Sequence, residues 1–197
     1  VISIRAKALL LDQIAGGPVS VALVGIGRAG MTTHGSRGRI TNVGEGTQDL
    51  GLAASVGRVG VLGQGFWSVH SDLQFMYRFP NTRSYPQFTG DTSAPGEEYS
   101  GTLEFVVSPR FRYGFGPTVT GFWRPRGVDF LDADLTDVDR LAALRVANVR
   151  VGGTFAVRAD SGFSASLQVQ HTVAAMNNPY VTVVTAGISA QMGLKEK

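Results

Sequence analysis

Residues 67–79 read Trp67-Ser-Val-His-Ser-Asp-Leu-Gln-Phe-Met-Tyr-Arg-Phe79. Trp67, Val69, Leu73, Phe75, Tyr77 and Phe79 share one parity, interrupted only by Ser71. Ser68, His70, Asp72, Gln74, Met76 and Arg78 share the other. Successive side chains of a strand point to opposite faces, so this spacing makes a strand with one apolar and one polar face. A helix would scatter both sets around its circumference.

The same alternation recurs along the chain. Tyr99, Leu103, Phe105, Val107, Phe111 and Tyr113 oppose Ser100, Thr102, Glu104, Ser108, Arg110 and Arg112. Val149, Val151, Phe155 and Val157 oppose Asn148, Arg150, Thr154 and Arg158. Phe163, Ala165, Leu167, Val169 and Val173 oppose Ser164, Ser166, Gln168, Gln170 and Thr172. Nine strands are predicted, at about 1–10, 17–31, 47–58, 65–79, 98–113, 117–126, 141–158, 162–174 and 179–194. Several exceed the five or six residues usual in soluble proteins and reach the roughly 9–11 of a tilted spanning strand. Connections at 11–16, 59–64, 114–116 and 159–161 are short and glycine-rich, whereas those at 32–46, 80–97 and 127–140 are long and polar. The connection at 175–178 is short where a long one is due.

Composition narrows the class. Charged residues are 17% of the 197, with 26 Gly and no Cys. High charge with low hydrophobicity, the mark of disorder, is absent, and so is a coiled-coil heptad. No run of 18 apolar residues can form a spanning helix. Without cysteine there is no disulfide framework, thiolate zinc site or cysteine nucleophile. A net charge of +3 does not by itself call for nucleic acid.

An alternating all-β chain can close with its apolar face inward, as a lipocalin does, or outward into lipid. Three features favour lipid: the length of the apolar rows, polar rows rich in small residues and Gln, and aromatics near the strand ends. These are Trp67, Tyr77, Phe79, Tyr99, Tyr113, Trp123, Phe163 and Tyr180. Rings at those positions suit the two interfacial girdles of a membrane barrel.

The segments GPVSVALVGIGRAG, GTQDLGLAASVGRVG and GTLEFVVSPRFRYGFGPTVTGFWRPR repeat a strand, a glycine-rich turn and a returning strand. In this the chain resembles bacterial outer-membrane β-barrel proteins, especially transporter-like barrels of poorly characterised function. The resemblance runs over nearly the whole chain and belongs to an architecture, not an activity. Such barrels often end on an aromatic residue, whereas here the last strand closes at Met192-Gly193-Leu194 before Lys195-Glu196-Lys197.

The expected fold is an all-β, antiparallel, up-and-down transmembrane β-barrel in a bacterial outer membrane. Residues 1–197 are expected to form a single barrel domain. An odd strand count puts the first strand's start and the last strand's end on opposite sides, while single-chain barrels normally have an even count. One or more N-terminal strands are therefore expected to be lacking, and the complete barrel to have ten to twelve. The alternative is that one strand is split or merged in this count, with the long 141–158 stretch the first candidate. The lipid bilayer is the expected partner, with other outer-membrane or periplasmic proteins as further candidates and no nucleic acid.

Leu73, Phe75, Tyr77, Phe105, Val107, Phe155, Leu167 and Val169 are expected to face lipid. Arg78, Arg110, Arg112, Arg150, Arg158, Glu104, Asp72, Gln74, Gln168 and Gln170 are expected to line the lumen. Arg5, Lys7, Arg28, Arg58, Arg124 and Arg126 also lie on or near polar faces, where acids are fewer. Such a row either favours anions in a pore or fills a narrow barrel with Arg–carboxylate and Arg–Gln bonds. The two expectations are passive transport of small solutes, anions among them, and a structural or assembly-anchoring barrel that binds partners through its long loops.

Chemistry-bearing patterns are few. Asp129–Asp139 holds five acids, with Asp132, Asp134 and Asp137 as candidate oxygens for a hard cation. It lacks the glycine and terminal Glu of an EF-hand loop, so a solvated acidic loop is the reading and no metal is assigned. His70 and Asp72 with Ser68 share a face, but no G-x-S-x-G elbow accompanies them. His34 lies in a loop and His171 in an outward row. Gly25, Gly27 and Gly30 spell G-x-G-x-x-G without the βαβ setting a dinucleotide needs. No catalytic residue and no cofactor is expected.

Overall fold

The computed structural model describes residues 2–29, 48–79, 96–126, 145–159 and 163–190. Nine strands form one sheet: β1 (Ile2–Leu11), β2 (Ser20–Ala29), β3 (Gln48–Leu62), β4 (Gly65–Arg78), β5 (Gly96–Ser108), β6 (Tyr113–Arg124), β7 (Val146–Arg158), β8 (Phe163–Met176) and β9 (Thr182–Ala190). Each pairs antiparallel with its neighbours in sequence, in the order β1 to β9. The connections 30–47, 80–95 and 127–144, which lie outside the described residues, leave from one end of this meander. We call it the loop end and the opposite one the turn end.

Turn chemistry sets the registers. Gly63, with φ of 58°, takes the first central position of the two-residue turn between Leu62 and Gly65, a backbone that an L side chain resists. At residues 12–17 the Asp12 carboxylate accepts from the Ile14 amide at 2.9 Å, and Gly16 has φ of 96°.

The β5–β6 turn differs from expectation. Gly114–Gly116 was the predicted turn, but the chain reverses at Pro109–Arg112. Pro109 lacks the amide a ladder needs, Phe111 takes φ of 40°, and Ser108 Oγ donates to the Tyr113 carbonyl at 2.6 Å. Gly114 and Gly116 instead lie within β6, where strands approach closely. A Cβ on Gly116 would run into the Phe105 carbonyl oxygen. The β5–β6 ladder passes from Glu104↔Thr118 to Val107↔Phe115, a lapse that falls at Pro117.

Burial is inverted relative to a water-soluble sheet. The exposed residues include Leu50, Leu52, Leu73, Leu103, Val151, Phe155, Leu167 and Val184, all on one face. On the other face Asp49, Glu98, Thr118, Asn148, Gln170 and Thr172 are each at most 9% exposed, beside only Ala22, Ile26 and Met76 among the apolar side chains of the described residues. Among the described residues the sheet has no second layer, and such a sheet can bury one face only by curling around it. The polar face is therefore the inner one.

The seam stays open. β1 and β9 are the sheet edges and do not pair with each other among the described residues. Ile2 pairs with Ala29 at the loop end and Ala190 with Phe163 at the turn end, so both edge strands run from loop end to turn end. They are parallel to one another.

Candidate functional site: the polar inner face

Inner-row residues follow from register. Asp49↔Arg78, Ser55↔Asp72, His70↔Glu104, Asp72↔Thr102, Gln74↔Ser100, Thr120↔Arg150, Thr154↔Gln168 and Gly152↔Gln170 are cross-strand pairs on that face. Three clusters occupy it.

Near the loop end, Glu98 joins two guanidinium groups. Arg124 Nε donates to Glu98 Oε1 at 2.8 Å, and its Nη2 bonds the same oxygen. Arg78 Nε stands 3.2 Å from Glu98 Oε2 and 3.9 Å from Asp49 Oδ2. That Nε is close enough for ion pairing but misaligned for a hydrogen bond, and Asp49 Oδ1 is likewise buried without one. Paired Arg and carboxylate are the arrangement that makes buried charge tolerable.

Mid-sheet, neutral hydroxyls and amides reach across strands. Gln170 Nε2 donates to Thr118 Oγ1 at 3.4 Å, Gln168 Nε2 to Thr154 Oγ1 at 3.3 Å, and Thr154 Oγ1 to Glu104 Oε1 at 2.7 Å. Arg150 lies one pair nearer the loop end, flanked by Thr120 and Thr172.

In the same register rows, on β3 and β4, His70 Nε2 lies 2.6 Å from Asp72 Oδ2, and Ser55 Oγ donates to Asp72 Oδ1. Both hydroxyl and imidazole meet the carboxylate, not each other. The imidazole meets the carboxylate and not the Ser55 hydroxyl, so the serine–histidine contact of a triad is not made there. The His70 and Asp72 side chains are each more than 40% exposed.

The remaining expected residues distribute as follows. Arg158 closes β7 at the turn-end rim and is exposed. Arg110 and Arg112, expected on a strand, lie exposed in the β5–β6 turn because Pro109 ends β5 first. On the outer face, Leu73, Phe75, Phe105, Phe155, Leu167 and Val169 are exposed, while Tyr77 and Val107 are half-buried among their neighbours. His171 is outward and 3.0 Å from Thr182 Oγ1. Gly25 and Gly27 are mid-β2, and Gly30, His34 and the acidic segment 129–139 lie outside the described residues. Glu98 went unnoticed in sequence, although its parity with Ser100, Thr102 and Glu104 places it on the inner row.

Outer-face aromatics form two bands. Phe75, Tyr99 and Trp123 run across β4, β5 and β6 with centroids 5.4 Å apart at each step. Trp67 and Phe105 make a second band, 6.5 Å apart, toward the turn end. On β4, Trp67 and Tyr77 are ten residues apart, as are Tyr113 and Trp123 on β6. Ten residues span about 33 Å along a strand.

Comparison with protein family models, curated proteins and solved structures finds no match to this chain.

Proposed function

We propose that this protein is a bacterial outer-membrane β-barrel whose inner face carries small solutes passively across the membrane. One observation carries the membrane placement, the inversion of burial, with leucines and aromatics outside and charged and amide side chains inside. Contiguous exposed apolar surface on this scale is unfavourable in water and favourable in lipid. The aromatic bands support the same reading, since Trp and Tyr concentrate at the two interfaces of a bilayer.

Closure of the barrel is part of the proposal. Parallel edges cannot continue an antiparallel meander by pairing with each other. An odd number of strands between them, the first running from turn end to loop end, restores antiparallel order throughout. With one such strand the barrel has ten.

Transport rests on the unequal filling of the inner face. The wall formed by β3 to β6 carries the bonded Arg78–Glu98–Arg124 cluster, while β7 to β9 offer mostly small polar groups. A second reading is supported by that same cluster: a lumen filled by ion pairs, in a barrel that anchors partner proteins through loops 32–46, 80–97 and 127–140. Planar-bilayer recording of the purified protein tests the choice. Steady open-channel current is the result expected of a pore, and electrical silence favours the anchoring role.

A further inference from the structure

The basic side chains of the inner face are not equivalent. Every acid in the sheet lies on β3, β4 or β5: Asp49, Asp72, Glu97, Glu98 and Glu104. No strand from β6 to β9 contains Asp or Glu. Arg78 and Arg124 reach the acidic wall and share Glu98. Arg150, on β7, has no carboxylate on its own strand or on either neighbour.

The surroundings of Arg150 are neutral and hydroxyl-rich. Its direct cross-strand partners are Thr120 and Thr172, and Asn148 and Gly152 flank it on the inner row of β7. Its Nε is buried and makes no hydrogen bond, and the residue has no ion pair with any described residue. A buried N–H left unmade is costly, more so when it carries charge. Arginine's fork of N–H groups matches the paired oxygens of a carboxylate or phosphate.

We propose that Arg150 is the anion-binding residue of the lumen and that its ligand class is the small oxyanion, carboxylate or phosphate. This rests on the transport reading and deepens it. Arg78 and Arg124 hold the wall together. Arg5 and Lys7, on the inner row of the edge strand β1, also lack an acid on their own or the neighbouring strand but are exposed. Arg150 is therefore the half-buried unneutralised cation that a passing anion meets. Thr120 stands beside it as a hydroxyl neighbour.

The test is a titration of inorganic phosphate, and separately of acetate, into the folded protein in micelles, following the Nε–H resonances of the arginines. Arg150→Lys identifies the Arg150 signal. A saturable shift of that signal is expected, with no comparable response from Arg58, which pairs with Val69 on the outer face and not on the polar face expected from sequence. Read at the backbone amides of Thr120 and Thr172, which every variant keeps, Arg150→Gln should abolish the saturable response, and Arg150→Lys, which keeps charge but loses the fork, should weaken it about ten-fold. An unmoved Arg150 signal in the wild-type protein overturns the proposal without reference to any variant. Reversal potentials separate it from the transport reading. Anion-selective current unchanged in Arg150→Gln removes the assignment and leaves the pore. Binding at Arg150 in a protein that passes no current keeps the site and removes the transport.

Discussion

Thr118 and Gln170 sit on strands that do not pair, β6 and β8, yet the Gln170 amide reaches the Thr118 hydroxyl at 3.4 Å. Gly152 stands between them, paired to both. With no side chain there, the inner row of β7 lets a polar contact cross two strand spacings. A Cβ on Gly152 would run into the Val169 carbonyl oxygen. Gly121, by contrast, has open space where a Cβ would sit.

Gly152→Ala should therefore lower stability by about 1–3 kcal/mol, the usual cost of forcing atoms into a packed site. Gly121→Ala should stay within about 0.5 kcal/mol of the parent. Denaturant unfolding of the protein refolded into bilayers compares the two directly.

The bonded cluster makes a second contrast. Glu98 is nearly buried between Arg78 and Arg124, while Glu97 pairs at 2.9 Å with Arg126, which is 60% exposed. Glu98→Ala leaves two part-buried cations without their shared partner and should cost about 3–5 kcal/mol. Glu97→Ala breaks a solvent-screened pair and should cost about 1 kcal/mol or less. Equal unfolding midpoints for the two variants would contradict this division.

Much of this was legible from parity alone. Alternation over 67–79 and 162–174 placed β4 and β8 within two residues, because an amphipathic strand exposes its period directly. The β5–β6 turn was not legible. Gly114-Phe-Gly-Pro117 looks like a turn by composition, but its glycines serve close strand approach, and Pro109 ends the strand instead. That shift of a few residues is what moved Arg110 and Arg112 from the inner row to an exposed turn. The bond between Glu98 and Arg124 was likewise invisible, since it depends on the register Tyr99↔Trp123. The G-x-G at Gly25 and Gly27 illustrates the same ambiguity, glycine in a strand carrying no fixed meaning without its partner strand.

Charge on the outer face should be expensive in lipid. Leu73→Arg and Phe105→Arg each put a cation on the apolar band and should cost about 2–4 kcal/mol near the bilayer midplane. Gln74→Arg and Thr102→Arg enter the inner face and should cost far less. Folding titrations in bilayers read the difference.

Selectivity should depend on salt. The unneutralised inner charge is positive, so reversal potentials in a KCl gradient should indicate chloride preference. The preference should shrink as KCl rises from 0.01 M to 1 M, where the screening length falls from about 30 Å to about 3 Å. Cation preference at low salt would contradict it.

The central claim is that the exposed apolar face meets lipid. The native chain has no cysteine, so single cysteines at positions 72 to 77 of β4 can each carry an environment-sensitive dye. Emission measured in vesicles of brominated lipid reports contact with the acyl chains. We expect strong quenching at 73, 75 and 77 and weak quenching at 72, 74 and 76. Uniform quenching, or the opposite alternation, would contradict the account and place the apolar face inside a water-soluble fold.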